Sequence, residues 1–146
     1  MSLLNYSTTV KSQKTASEII EILVKAGARQ VMSDFDNYGN ASGLSFSIST
    51  PSGLRGFTLP VNANAVESVM RRDGKIPTRF KTPEQSRNVA WRIMKDWVEA
   101  QVALIETEMV TFEQVMLPYM RSIDGGTFYD EYLKGVGTQP MLEAGE

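Results

Sequence analysis

Basic side chains concentrate in one stretch of the chain, residues 71–95. This stretch holds eight of the fifteen lysines and arginines and only two acidic residues, Asp73 and Glu84, so its formal charge is +6. Clustered guanidinium and ammonium groups bind phosphates, and such contacts give an affinity for nucleic acid that does not depend on base sequence. The clustering therefore indicates anion binding by residues 71–95.

The predicted site combines cations that neutralise phosphates with aromatic rings that stack on bases. A loop over 74–82 leads into a helix that begins at Thr82, where free N–H groups and the helix dipole also favour negative charge. Phe80 or Trp91 would stack on a base. The complete candidate site is Arg72, Lys75, Arg79, Phe80, Lys81, Arg87, Trp91 and Arg92.

A second interpretation of the same cations stays open at the level of sequence. Basic residues on the flanks of a helix often pair with nearby carboxylates, here Glu84, Asp96 and the acidic C-terminal part, and then bind no ligand. Residues 96–146 contain ten acidic and two basic residues, a formal charge of −8. The pI of about 5.3 also counts against a dedicated DNA-binding domain, for which a basic balance is expected.

Several classes of catalytic site are excluded by composition. The chain has no histidine and no cysteine, which excludes disulfides, thiolate nucleophiles, imidazole acid/base catalysis and the usual zinc sites. It has neither a Gly-rich phosphate loop followed by Lys-Ser/Thr nor a Gly-x-Ser-x-Gly motif. Residues 34–39 begin like a calcium loop, but Tyr38 and Ser45 stand where two of its ligands are required. We predict no enzymatic activity, no metal site and no cofactor.

Hydrophobic patterning predicts the elements that position the candidate site. Alternating apolar residues predict strands over 4–10, 29–35, 44–49 and 54–61. Helical spacing predicts helices over 15–26, 66–73, 82–108, 111–118 and 127–134. Thr15 and Glu18 are predicted to form a capping box for the first helix. The predicted fold class is α+β: a four-stranded, mainly antiparallel sheet in β-α-β-β-β order, followed by a C-terminal helical layer.

Length and composition indicate one domain. The predicted domain covers 1–134, with a flexible tail over 135–146 that is rich in Gly, Pro, Gln and Glu. No apolar run approaches the ~20 residues that span a bilayer, and the first residues do not resemble a secretory signal. We therefore expect a protein of the cytoplasm without membrane contact.

Three segments carry a resemblance to a known family. They are Tyr-Ser-Thr-Thr-Val at 6–10, Ala-Trp-Arg-Ile-Met-Lys-Asp-Trp-Val-Glu-Ala-Gln at 90–101 and Met-Leu-Pro-Tyr-Met at 116–120. Across most of residues 6–133 the chain resembles small conserved proteins of bacteriophages and prophages. The resemblance implies an accessory protein made in an infected bacterium, and it supplies no catalytic or ligand residue.

These observations lead to two hypotheses from different classes. The first is a phage accessory protein that binds a polyanion, DNA in replication or recombination, through residues 71–95. The second is a non-enzymatic interaction protein that inhibits a host factor, such as a defence component, or sequesters a nucleotide signal in the basic loop. Its acidic contacts would be Glu106, Glu108, Glu113, Asp124, Asp130 and Glu131. Self-association through exposed aromatic residues, with Trp91 as an interface anchor and Trp97 in the core, is compatible with either.

Overall fold

The computed structural model describes residues 2–135, which form three strands and five α-helices. The strands are β1 (Gln30–Phe35), β2 (Ala41–Thr50) and β3 (Gly53–Pro60). The helices are α1 (Ser12–Lys25), α2 (Ala63–Arg72), α3 (Pro83–Glu106), α4 (Phe112–Met116) and α5 (Phe128–Gly135). Short 3-10 turns at Thr78–Phe80 and Leu117–Tyr119 precede α3 and follow α4.

The strands form an antiparallel meander in the order β1-β2-β3. Phe46 in the middle of β2 lies opposite Val31 on β1 and Phe57 on β3, so all three point to the same side of the sheet. The side that faces the helices is apolar and buried: Leu44, Phe46, Ile48, Phe57 and Leu59 are each at most 6% exposed. Ser45, Ser47 and Thr58 alternate with them and lie on the opposite, more open side, which we call the serine face.

The predicted fourth strand over 4–10 is wrong. These residues form turns, and their carbonyl groups are satisfied by a side chain, because Gln85 Nε2 donates hydrogen bonds to the carbonyl oxygens of Tyr6 (3.0 Å) and Thr8 (2.9 Å). The Tyr6 ring meets Phe80 edge-on at 5.7 Å. The segment therefore packs against the start of α3 and the turn before it, and the sheet has three strands.

The prediction of a C-terminal helical layer is also wrong, because helices lie on both sides of the strands in the sequence. α1 precedes the sheet and packs against α3, and α2 packs against α3 as well. Ile19 and Leu23 of α1 and Trp91 and Val98 of α3 are fully buried in the core that covers the sheet. Burial of such side chains contributes about 1.5–3 kcal/mol each to folding.

Local sequence determines where α3 begins, whereas a tertiary contact helps to determine where α1 begins. α3 begins as predicted, since Thr82 Oγ1 accepts the N–H of Gln85 at 3.1 Å and Pro83 is the first helical residue. α1 begins at Ser12, so the predicted capping box is wrong. The Ser12 N–H instead donates to Asn88 Oδ1 of α3 at 2.8 Å. A cap supplied from another helix leaves no trace in the local sequence.

The described structure ends at Gly135. Gly135 is the last residue of α5, and the rest of the predicted tail, residues 136–146, lies outside the described residues. No helix within 2–135 is long and apolar enough to cross a membrane.

Candidate phosphate-binding loop

The segment between α2 and α3 is fixed to the domain by two apolar side chains. Ile76 is 2% exposed and packs with Met70 of α2 and Val89 of α3. Phe80 packs against the same cluster. Arg79 lies between these two anchors, Lys75 and Lys81 flank them, and both Lys75 and Arg79 are exposed. We call residues 72–81 the cation loop.

Short hydrogen-bonded turns hold the backbone of the cation loop. The Asp73 carboxylate accepts the N–H of Lys75 at 2.9 Å. Further along, the N–H of Phe80 donates to the Pro77 carbonyl and the N–H of Lys81 donates to the Thr78 carbonyl. The loop is therefore ordered before any ligand binds, which lowers the entropic cost of binding.

The four cations of the loop have no carboxylate partner within residues 2–135. Arg72, Lys75 and Arg79 are exposed and Lys81 is half-buried, and the ion pairs of the described chain involve none of them. The guanidinium of Arg79 lies 4.6 Å from the centre of the Phe80 ring, a cation–π contact that orients it. These four cations can bind phosphate without first breaking an ion pair.

Phe80 holds the loop in place. Arg79 lies over its ring, Tyr6 contacts its edge, and the ring packs on the cluster around Met70 and Val89. Stacking of Phe80 on a base would require Arg79 to move away.

The interpretation of Trp91 as a partly exposed anchor or base-stacking ring is wrong. Trp91 is 0% exposed, and its indole N–H donates to the Ala41 carbonyl at 3.3 Å, which ties α3 to β2. A spacing signal for this burial was present in the sequence. Trp91 and Val98 are seven residues apart on one helix, and positions with that spacing share a face.

Arg92 belongs to an ion-pair network between α1 and α3 and is not part of the cation loop. Glu18 of α1 accepts hydrogen bonds from Arg92 (2.9 Å) and Lys95 (2.8 Å), and Lys95 also contacts Glu99 at 2.9 Å. The hydrogen bonds from Lys95 and Arg92 hold the pKa of Glu18 below its ordinary value, and those to Glu18 and Glu99 raise the pKa of Lys95. Arg71 is paired with Glu67 at 2.9 Å. These cations stabilise helix contacts and are not free for phosphate.

Replacing Glu18 with Gln tests this network. We expect Glu18→Gln to lower the free energy of unfolding by about 1–2 kcal/mol at neutral pH, since Arg92 loses its carboxylate partner and Lys95 keeps only Glu99. Because the folded pKa of Glu18 lies below the ordinary value of 4.5, its contribution is full above that pH and is lost as the pH falls through the folded pKa. Urea unfolding at neutral and acid pH measures this difference.

The pair Arg71–Glu67 within α2 provides the control, because the Arg71 side chain is 56% exposed and Glu67 has this one cation as its partner among the ion pairs of the described chain. Glu67→Gln removes an i,i+4 pair at the helix surface and should cost only about 0.2–0.5 kcal/mol. A Glu18→Gln effect that is no larger than the control, or that persists unchanged at acid pH, would contradict the assigned role of Glu18.

Arg87 lies apart from the loop, one turn into α3. It is half-buried and lines a surface depression of about 360 Å³ together with Asp36, Tyr38 and Asn40 of the β1–β2 turn. A hydrogen bond from Lys11 and the charges of Lys11 and Arg87 lower the pKa of Glu84. Arg87 therefore faces an acidic neighbourhood. Of the eight candidate residues, Arg72, Lys75, Arg79, Phe80 and Lys81 belong to the cation loop, which begins at the last residue of α2, whereas Arg87, Trp91 and Arg92 lie elsewhere.

Comparison of the chain with protein-family models, with curated proteins and with solved structures finds no match. Within residues 2–135 no group of three or more Asp or Glu residues is placed to hold a metal ion. The cation loop is therefore the feature of the described chain from which a function can be inferred.

Proposed function

We propose that this protein is a bacteriophage accessory protein that binds a phosphate polyanion, DNA in replication or recombination, through the cation loop. The observation that carries the proposal is a contrast among the basic residues. Arg72, Lys75, Arg79 and Lys81 lie on an anchored loop without carboxylate partners, whereas Arg92 and Lys95 are committed to Glu18.

The character of the loop favours contact with the nucleic-acid backbone. Trp91 is buried and Phe80 is covered by Arg79, so the candidate site presents no free ring for base stacking. Binding then depends on phosphate neutralisation, which is insensitive to base sequence and falls steeply with salt. The start of α3 at Thr82 adds the favourable end of a helix dipole next to Lys81. Duplexes of unrelated sequence should therefore bind alike.

The charge distribution would also orient the protein on DNA. Residues 96–146 have a formal charge of −8, and Glu106 and Glu108 at the end of α3 are exposed. Phosphates repel this end of the long helix and attract its start, where the cation loop lies. The loop would face DNA while the acidic end points away.

Neutralising part of the loop tests the proposal. For the double variant Arg79→Ala/Lys81→Ala we expect affinity for a short duplex to fall by at least about tenfold, similarly for unrelated sequences. The slope of log affinity against log salt concentration should decrease by about 2, one for each lost phosphate contact. Fluorescence anisotropy across a salt series provides both quantities.

The double variant Lys14→Ala/Lys25→Ala is the matched control. Both lysines are exposed on α1 and outside the ion pairs of the described chain, so the net charge changes equally while the loop stays intact. An equal loss of affinity in the control would mean that only net charge matters. That result, or no binding by the wild-type protein in low-salt buffer, would refute the proposal.

A second candidate is an interaction protein that inhibits a host factor, and one observation favours it. Near the chain end, large apolar side chains are exposed beside carboxylates: Ile123 is fully exposed, and Tyr129 and Tyr132 of α5 are 53% and 65% exposed. Asp130 and Glu131 lie between these tyrosines. Such a surface suits a basic partner with an apolar patch. Recovery of a stoichiometric host protein that survives nuclease treatment would favour this candidate over DNA binding.

A further inference from the structure

The two edge strands of the sheet differ in whether other segments form backbone hydrogen bonds with them. The edge at β3 is partly covered by residues that follow α4. Met120 forms an isolated antiparallel bridge with Phe57, and the Arg121 N–H donates to the Gly56 carbonyl at 2.8 Å. Along β1, no backbone hydrogen bond outside the β1–β2 ladder reaches residues 30–35 from any part of the described chain. The β1 edge is thus the open end of the sheet.

β1 lacks the usual protections of an open edge. Natural edge strands avoid pairing through lysines, prolines, bulges or a covering element. β1 contains no lysine and no proline, and the register irregularity near its end leaves Ser42 of β2 as the extra residue, so β1 itself is regular. Met32 in its centre is 65% exposed and Phe35 at its end is 64% exposed. A regular strand with exposed apolar residues is suited to pair with another strand.

The polar residues along this edge are self-complementary. Gln30 lies at the start of β1 and Asp34 near its end, both on the serine face, so two antiparallel copies place an amide donor beside a carboxylate at both ends. A parallel arrangement would place like charges side by side. An antiparallel pair about a twofold axis is also the commonest symmetry of homodimers.

We propose that this edge is a homodimer interface in which β1 pairs antiparallel with β1 of a second copy, centred on Met32, to give a continuous six-stranded sheet. In this register Met32 faces its own copy on the serine face, and Gln30 faces Asp34. One Asp34 carboxylate oxygen accepts from Ser45 at 2.8 Å, which leaves the other for the Gln30 amide. Arg29 lies opposite Phe35 on the other face of the sheet. The buried faces of the two sheets stay on the same side, as a shared core requires.

Sedimentation velocity of the full chain tests the interface. The wild-type protein should approach a mass of twice 16.2 kDa as concentration rises. Met32→Lys brings two like charges together at the axis and should weaken association by at least about tenfold without unfolding an exposed position. Leu54→Lys is the matched control, because Leu54 is 61% exposed on β3, away from this edge. A monomeric wild type, a dimeric Met32→Lys variant, or monomers for both lysine variants would overturn the proposal.

A crosslinking experiment tests the register directly, because the natural chain has no cysteine. Residues directly opposite in an antiparallel pair have Cβ atoms about 4.5–5.5 Å apart, close enough for a disulfide to form with small adjustment. Met32→Cys should therefore form a covalent dimer under mild oxidation, whereas Leu54→Cys should stay monomeric. Non-reducing gel electrophoresis distinguishes the two outcomes. Equal crosslinking of both variants would overturn the register. The result is independent of DNA binding, since β1 shares no residue with the cation loop.

Discussion

Replacing Trp91 with alanine is expected to lower the free energy of unfolding by about 3–5 kcal/mol. Trp91 is fully buried among the side chains that join α1 and α3 to the sheet, and its indole N–H satisfies the Ala41 carbonyl. The substitution removes the packing of a large ring and the hydrogen bond to that carbonyl. Because small domains are stable by only about 5–15 kcal/mol, the variant should be marginally folded.

Urea and thermal unfolding followed by circular dichroism would measure the effect. A loss of this size should lower the melting temperature by about 10–20 °C. Trp97→Ala is the matched control, since Trp97 is only half-buried and contacts Tyr119 edge-on at 5.7 Å. If Trp91→Ala costs no more than Trp97→Ala, the indole of Trp91 is not the main link between α3 and β2.

The two tryptophans show what the sequence of a long helix can and cannot predict. The wide apolar stripe on α3 correctly indicated a packed helix, and the start at Thr82 and Pro83 was predicted because those signals are local. The choice of which tryptophan is deeper depends on the helices and strands that pack around α3. Trp91 faces both the sheet and α1, whereas Trp97 lies farther along, beside Tyr119.

The strands were predictable where turn chemistry and alternation agreed. Asp36 Oδ1 accepts the N–H groups of Tyr38 and Asn40, so the turn after β1 follows from an aspartate at its first position. Residues 4–10 have the same alternation as a strand, but they do not join the sheet. Two of their carbonyl groups accept hydrogen bonds from Gln85, which is far away in sequence, and a local pattern cannot reveal such a partner.

The candidate site was predictable only as a cluster in the sequence. Clustering of basic residues located the cation loop, because loop residues close in sequence stay close in space. It could not show that Arg92 and Lys95 are neutralised by Glu18, since that carboxylate comes from α1, more than seventy residues earlier. The pairing partner of a charge depends on tertiary packing.

Gly43 is a position whose importance only the structure reveals. It has an ordinary backbone conformation and lies in β2 opposite Pro60, so neither a turn nor a left-handed angle marks it in the sequence. A Cβ atom at this position would lie 2.6 Å from the Leu59 carbonyl oxygen and 3.2 Å from the Pro60 Cα. Both atoms belong to the backbone, so β3 itself would have to move away from β2.

Gly43→Ala should therefore lower the free energy of unfolding by about 2–3 kcal/mol, at the upper end of the cost of overpacking. The strands meet tightly here, because the Val61 N–H donates to the Ser42 carbonyl at 2.8 Å and Leu59 is buried in the core. Gly74→Ala in the cation loop is the control: its Cβ would meet nothing within 4 Å, and the smaller flexibility of the unfolded chain should stabilise the protein by up to about 1 kcal/mol. Urea unfolding of both variants should give changes of opposite sign. A neutral Gly43→Ala would show that β3 can shift at Leu59 without loss of core packing.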